Sequence, residues 1–362
     1  MIHLLSSSLH QETLEIPFQI PDTFTRQNQV VAVLTGGTES NFVQLVDEGL
    51  IDLKRPVFLM VSGHSNSLAA SLEILSYIRQ HNGIGKVMRS ADDTSLEGDN
   101  SISALTASPS AGILHYDKSL RLGVVGFPSD WLIASRVDYE TALRTMNIEL
   151  VDVPIEEMTS LGEVDPGMKG AEAIYERLKS IVRKYNLQGV TLRCFDLLTT
   201  VKNTGCIALS KLNDEGIPAA CEGDIPTLLT MMICRKLTGE LCFQVNPARI
   251  QADGQMLFAH CTLPLGMTEK YEYTTHFESG IGVAIHGDLP SGDYTLVKLS
   301  GDMKRLLAEN VKLTRCQYES NLCRTQVWIQ STPEVAKYFL TDPIANHHVL
   351  IRGHHAAKFR RE

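Results

Sequence analysis

The chain has no Cys-x-x-Cys pair among its eight cysteines (194, 206, 221, 234, 242, 261, 316 and 323), which argues against a zinc ribbon. Their scatter over 362 residues points to reduced, mostly buried thiols of a cytoplasmic protein, not to a disulfide framework. No apolar run reaches the roughly 18 residues that span a bilayer, so no membrane partner is expected. The opening Met1-Ile2-His3-Leu4-Leu5-Ser6 has no basic segment, and no secretory signal is expected. Basic charge is scarce too. A net charge of −9 and a pI near 5.8 argue against a nucleic-acid or anionic-membrane partner. Neither GxGxxG nor GxxxxGK[ST] occurs, so the phosphate-cradling loops are absent, and no GxSxG marks a nucleophilic serine.

What is present reads as a globular protein, 43% hydrophobic and 21% charged. At about 150 residues per domain, the length suggests two or three domains. Residues 30–34 and 57–61 are buried-strand patterns, each followed by a polar, Gly-rich loop and a helical stretch. That rhythm predicts a parallel sheet whose loops line a ligand face at the strand C-termini. Glu39 and His64 sit in these loops, as substrate contacts or as plain loop residues. Residues 86–111 are polar and Ser-rich and read as a connector or hairpin. The rhythm restarts at 120–126 and carries strands at 148–153, 189–195 and 217–222, with helices over 137–146 and 171–185. Beyond Gly239, short strands follow at 241–247, 256–261, 271–277, 281–285, 294–299 and 325–329. The expected fold class is therefore α/β: two parallel-sheet α/β domains, 1–118 and 119–235, then a β-rich sandwich or barrel, 236–362.

One stretch stands out for chemistry: Cys221-Glu222-Gly223-Asp224-Ile225-Pro226, leading into an apolar helix that Leu237-Thr238-Gly239 can stop. It reads either as a capped helix, with Asp224 the cap and Glu222 solvated, or as carboxylates placed to hold a cation. The C-terminal histidines 347, 348, 354 and 355 are either solvated or a source of an imidazole ligand. Carboxylates with one imidazole suit Mn²⁺ or Mg²⁺ better than zinc, which prefers more His or Cys. His260, His276 and Glu278-Ser279-Gly280 form a further polar group, either core histidines or part of a site.

Four stretches together resemble the L-fucose isomerase and L-arabinose isomerase superfamily, especially its short fucose-isomerase-like members. They are Ser67-Leu68-Ala69-Ala70-Ser71-Leu72-Glu73; Pro128-Ser129-Asp130-Trp131-Leu132-Ile133-Ala134-Ser135; Cys221-Glu222-Gly223-Asp224 with Leu237-Thr238-Gly239; and Ala345-Asn346-His347 with Gly353-His354. The resemblance implies aldose–ketose isomerisation of a sugar through an ene-diol, with Mn²⁺ or another divalent cation as cofactor. It implies Glu222, Asn246 and His347 as the metal ligands, with Glu222 also the base and Asp224 a supporting or substitute base. Asn246, 24 residues after Glu222 (246 − 222), stands where the family carries Asp. An amide ligates more weakly and cannot act as a base. This departure leaves a second expectation open, a member that binds sugar or regulates without turnover. Ser279 and Asn346 match sugar-contacting positions, while His260 and His276 are candidates for a missing ligand or proton relay. The family's trimers or hexamers imply a homo-oligomer in which the loops around Glu39 and His64 complete a neighbour's pocket.

Overall fold

The computed structural model describes residues 2–7, 16, 18–90, 106–107 and 114–360. Most of the stretch read as a connector, 91–105 and 108–111, lies outside the described residues.

The first unit is a parallel sheet of β1 (Ile2–Leu5), β2 (Gln29–Val33), β3 (Val57–Val61) and β4 (Gly85–Met88), in that order. Val30, Val31, Ala32 and Val33 are all fully buried, as a strand covered on both faces requires. Lys86-Val87-Met88 belongs to this sheet and not to a connector, because it pairs with β3. The helix Ser67–Gln80 is buried over most of its length, and its apolar residues share one core with barrel residues such as Phe243 and Val245.

The second unit orders its parallel strands β7 (Ile148–Val153), β6 (Leu120–Val125), β8 (Gly189–Leu192) and β9 (Ala219–Cys221). The chain begins in the interior of this sheet, moves to one edge and then returns past β6. In such sheets ligands bind beyond the strand C-termini near the reversal. Those ends lead directly into Trp131, Phe195 and Glu222.

The third unit is a six-stranded antiparallel barrel of β10 (Phe243–Ile250), β11 (Gln255–His260), β14 (Gly292–Leu299), β15 (Leu306–Gln317), β16 (Thr325–Gln330) and β17 (His348–Arg352). Its order is β14-β17-β10-β11-β16-β15, and the β14–β15 pairing closes it. Closure leaves no exposed edge in the ring. Pro247, which cannot donate to a ladder, sits at a register shift in β10. The two-residue strand β5 (Thr106–Ala107) pairs with β15, so this piece of the expected N-terminal domain joins the barrel.

The stretch 271–277 does not form the half-buried strand its alternation predicts. Strand β12 (Lys270–Thr274) ends early and pairs only with β13 (Ala284–Asp288), outside the barrel. With no second layer over it, Tyr271 and Tyr273 are each about half exposed, 50% and 48%. The helix Pro333–Thr341, capped by the Thr332 side chain, and the 12-residue strand β15 have no counterpart in the sequence reading. Among the described residues no helix is long and apolar enough to cross a membrane.

Candidate metal centre and active site

Strand β9 ends at Cys221, and Glu222 and Gly223 follow with φ of +63° and +68°. A non-glycine residue in that region costs about 1–3 kcal/mol, so neighbours must hold Glu222 there. They do: its carbonyl accepts from Ser129 Oγ, and Cys221 N–H donates to Gln244 Oε1 at 2.8 Å. A Cβ at position 223 would lie 2.7 Å from the Phe127 carbonyl oxygen, so only glycine fits. Asp224 then caps the helix Ile225–Thr238, accepting from Thr227 N–H at 2.7 Å, and Gly239 ends it at φ +76°. The two carboxylates of this stretch thus point to different tasks.

Glu222 keeps 16% of its side chain exposed and faces a cleft, where Trp131 Nε1 donates to its Oε2 at 2.9 Å. Its Oε1 lies 3.5 Å from Nε2 of His347. The other ring nitrogen of His347 is 2.9 Å from Asp224 Oδ2, and Asp224 faces Lys298 Nζ at 3.7 Å with both side chains fully buried. Lys298 also donates to Thr227 Oγ1 at 3.1 Å. His260 lies alongside, its ring centroid 5.6 Å from that of His347 and its Nδ1 2.9 Å from Thr262 Oγ1. One potential ligand atom from each of Glu222, His260 and His347 falls within 4.8 Å of the others.

These residues fit a divalent cation. His347 Nε2 and Asn246 Oδ1 are buried side-chain atoms without a hydrogen-bond partner among the described residues. Each imidazole is also fixed through its second nitrogen, His347 by a carboxylate and His260 by a hydroxyl, as metal-binding histidines usually are. Without a cation the charges balance internally. Burial pulls against ionised Glu222, but the His347 imidazolium, with His260 and the Trp131 indole, holds it at about 2. Burial likewise opposes His347, yet Glu222 and Asp224 raise it to about 10. His260 is pushed down to about 3 by burial and then by the charge of His347. Asp224 is held below its ordinary range despite burial, through Lys298 first and then His347.

The backbone that carries Asn346 and His347 is held by side chains of other elements. Ser76 Oγ donates to Pro343 O at 2.9 Å and accepts from Ala345 N at 2.7 Å. Tyr338 Oη accepts from Ile344 N at 2.7 Å. Glu73, fully buried, accepts from Asn346 N at 3.1 Å, Ala134 N at 2.8 Å and Ser135 Oγ at 3.2 Å. Between these anchors Ala345 takes φ +60°, a conformation alanine avoids when free. Glu73 thereby ties the first unit to the second and to the loop beside His347.

The cleft, about 610 Å³ with its open mouth, lies where the three units meet. Gly36, Gly37, Glu39, Asn66, Ala69 and Ala70 come from the first unit. Trp131, Phe195 and Glu222 come from the second, and Asn246, Glu278 and Asn346 from the third. Such a volume suits a small molecule. Glu39 lines the cleft of its own chain, where Glu73 and Ser76 hold the first unit against the other two. Burial raises Glu39 to about 8, against its backbone hydrogen bond and with the charges of Glu73, Glu222 and Glu278 adding. Glu278 is also pushed to about 8, by burial and then Glu222, although Asn66 Nδ2 donates to it at 2.6 Å.

The residues singled out from sequence fall into separate groups. Glu222, Asn246 and Asn346 line the cleft, and His260 and His347 stand beside Glu222. Asp224 turns away from the cleft to His347 and Lys298. His276 is buried against Phe195 with its Nδ1 3.0 Å from Ser279 Oγ, so Ser279 spends its hydroxyl on the imidazole. His276 is lowered to about 4, by burial foremost. His64 is exposed and pairs with Asn321 Nδ2 at 2.6 Å, apart from the residues lining the cleft. His347 and His348 are not solvated: both are fully buried, His348 at the start of β17 with its Nε2 3.1 Å from Tyr338 Oη. His260 joins Glu222 and His347 in the ligand cluster, and Asn246 lines the same cleft as Glu222. Trp131, Phe195, Asn66 and Glu73 were not assigned site roles from sequence. Trp131 and Glu73 lie inside the family-like stretches, which was the available signal.

No protein-family profile matches the chain. A stretch of 90 residues, 24% of the chain, is 30% identical to the sulfoquinovose isomerase of Clostridium sp. (strain MSTE9). It covers 20% of that protein, so the chain aligns with about a fifth of this relative's length. The comparison establishes a weak, local likeness to a sugar isomerase, beside a site whose side chains can hold a metal ion.

Proposed function

We propose that this protein is a divalent-metal-dependent aldose–ketose isomerase that works through an ene-diol, similar to fucose isomerases. The observation carrying this reading is the Glu222–His260–His347 cluster, whose Glu222 lines a cleft of small-molecule size. Glu222 and the two imidazoles would hold the ion, with Asn246 Oδ1 the nearby neutral donor. A bound cation would supply Lewis-acid polarisation of the sugar carbonyl. Glu222 is the candidate base at the sugar carbons, oriented by Trp131. Asp224 and Lys298 fix His347 and keep its tautomer constant. Asn346 and Glu278 line the cleft within the same chain and are candidates to orient hydroxyls. Two imidazoles and one carboxylate are a donor set that Zn²⁺, Mn²⁺ and Fe²⁺ all accept, so the sequence-based preference against zinc loses its basis. Assembly into a trimer or hexamer belongs to this proposal, as a property of the family it resembles.

The test is metal content and proton exchange together. Purified protein is expected to bind one Mn²⁺ or Zn²⁺ per chain, and Glu222→Gln to lose it. With metal, the C2 proton of an aldose should exchange with deuterated solvent. Stoichiometric metal without exchange for any aldose would instead favour the binding or regulatory role that Asn246 suggests. Failure to bind any divalent ion near neutral pH would sink the isomerase reading.

A further inference from the structure

The cleft walls carry an unusual set of polar atoms. Among the described residues lining it there is no Lys or Arg, while three lining residues are carboxylic acids: Glu39, Glu222 and Glu278. Basic side chains around the cleft are already engaged, Arg324 among them on Thr275 O at 2.7 Å. Lys298 is fully buried on Asp224 and Thr227, and Arg193 is spent on Asp130 at 2.9 Å and Asp196 at 3.1 Å. Three lining side chains hold a buried oxygen without a hydrogen-bond partner among the described residues: Glu39 Oε2, Asn246 Oδ1 and Asn346 Oδ1. Glu39 is only 3% exposed, so its free oxygen finds a partner only in what enters the cleft. A buried acceptor left alone costs about 1–3 kcal/mol, which a ligand donor would relieve.

A sugar hydroxyl can donate to these oxygens or accept from Glu39 when its carboxyl is protonated, and an ammonium can donate to them, whereas a sulfonate or phosphate group adds negative charge and no donor. Even with a divalent ion beside Glu222, an anion buried against Glu39 and Glu278 would find no Lys or Arg on the cleft wall to pair with, which is penalised. The apolar flank fits the same ligand, since Trp131 and Phe195 meet edge-to-face at 5.3 Å beside Ala69 and Ala70. Resting on the isomerase reading above, we infer that Glu39 is a substrate-contacting, specificity-determining residue. With Glu278, it selects a hydroxyl- or amino-bearing sugar that carries no sulfonate or phosphate. In this respect the chain departs from the relative named for a sulfonated sugar.

The experiment is calorimetry on the full chain with saturating Mn²⁺, using uncharged aldohexoses, their 2-amino derivatives, and 6-sulfonated and 6-phosphorylated counterparts. The uncharged or amino sugar is expected to bind at least tenfold more tightly than either anionic one. Glu39→Gln and, separately, Glu278→Gln should weaken the uncharged or amino sugar several-fold and narrow the gap to the anionic ones. Circular dichroism checks that each variant is folded, and the second variant keeps the test open if the first is not. Equal or tighter binding of a sulfonated or phosphorylated sugar overturns the inference while leaving the isomerase reading intact. So does unchanged selectivity in both folded variants. Wild-type protein that takes up no metal would fail the isomerase reading instead, a result the metal titration shows separately.

Discussion

Asp224 Oδ2 lies 2.9 Å from Nδ1 of His347 while its Oδ1 caps the helix Ile225–Thr238. One carboxylate therefore fixes both a helix start and a ring whose other nitrogen faces Glu222. Asp224→Asn keeps an oxygen for the cap but cannot balance His347 and Lys298. Metal affinity should fall by about 10–100-fold, read by calorimetric titration, with the fold retained. Asp224→Ala removes the cap as well, worth about 1 kcal/mol, and strands a buried ammonium at a cost of about 3–5 kcal/mol. Because both variants leave the Lys298 ammonium uncompensated, urea unfolding should separate them by about the 1 kcal/mol of the cap.

Glu73 receives three donors, from Ala134, Ser135 and Asn346, and has none of its own to offer them. In Glu73→Gln an amide N–H₂ must face one of those donors. The expected loss is about 1–3 kcal/mol of stability. Because Asn346 N is one of the partners, metal affinity should also drop, by about tenfold. Ser71→Ala on the same helix removes a buried hydrogen bond to Ser67 O at 2.9 Å and serves as the control. Comparable metal affinity in both variants would reduce Glu73 to a packing residue.

Glu39 provides the clearest pH dependence. Burial lifts its carboxyl from 4.5 to about 8. A carboxyl raised on folding contributes its stability below pH 4.5 and loses it as pH climbs through about 8, because the unfolded chain then ionises more readily. Glu39→Gln has no such titration. The stability difference between wild type and Glu39→Gln should therefore shift in favour of the variant between pH 5 and 8.5. At about 1.4 kcal/mol per unit, the shift is on the order of 3–5 kcal/mol. Urea unfolding of metal-free protein at several pH values measures it, and a constant difference would place Glu39 in contact with solvent.

The features legible in the sequence were those set by local patterning. Apolar runs at 30–34 and 57–61 announce parallel strands, and Asp224, Pro226 and Gly239 bound a helix, because caps and punctuation act within a few residues. The left-handed turn at Glu222 is not legible, since glutamate normally avoids φ +63° and residues distant in sequence, Ser129 and Gln244 among them, hold it there. The hairpin Lys270–Thr274 with Ala284–Asp288 alternates like a barrel strand, and only tertiary placement leaves Tyr271 and Tyr273 uncovered. The site divides in the same way. Glu222 and His347 stand in recognisable stretches, but the approach of His260 depends on the strand order of the barrel, which places β11 and β17 on either side of β10.

That approach of His260 separates two descriptions of the metal centre. If the ligands are Glu222, His260 and His347, then His260→Gln should cost at least about 100-fold in Mn²⁺ or Zn²⁺ affinity, more than the loss of a supporting residue. His276→Gln should leave affinity unchanged, because His276 is engaged with Ser279 and is no member of the cluster. Asn246 completes the argument. Its Oδ1 is buried and unpartnered in the same cleft, so Asn246→Asp places a second carboxylate there. Added ligand charge should tighten Mn²⁺ by about tenfold or more. Without a cation the same change buries an uncompensated charge and should lower the melting temperature. Stabilisation by metal in Asn246→Asp that exceeds the wild-type gain would show that position 246 faces the ion. A variant destabilised with and without metal alike would place Asn246 outside its coordination sphere.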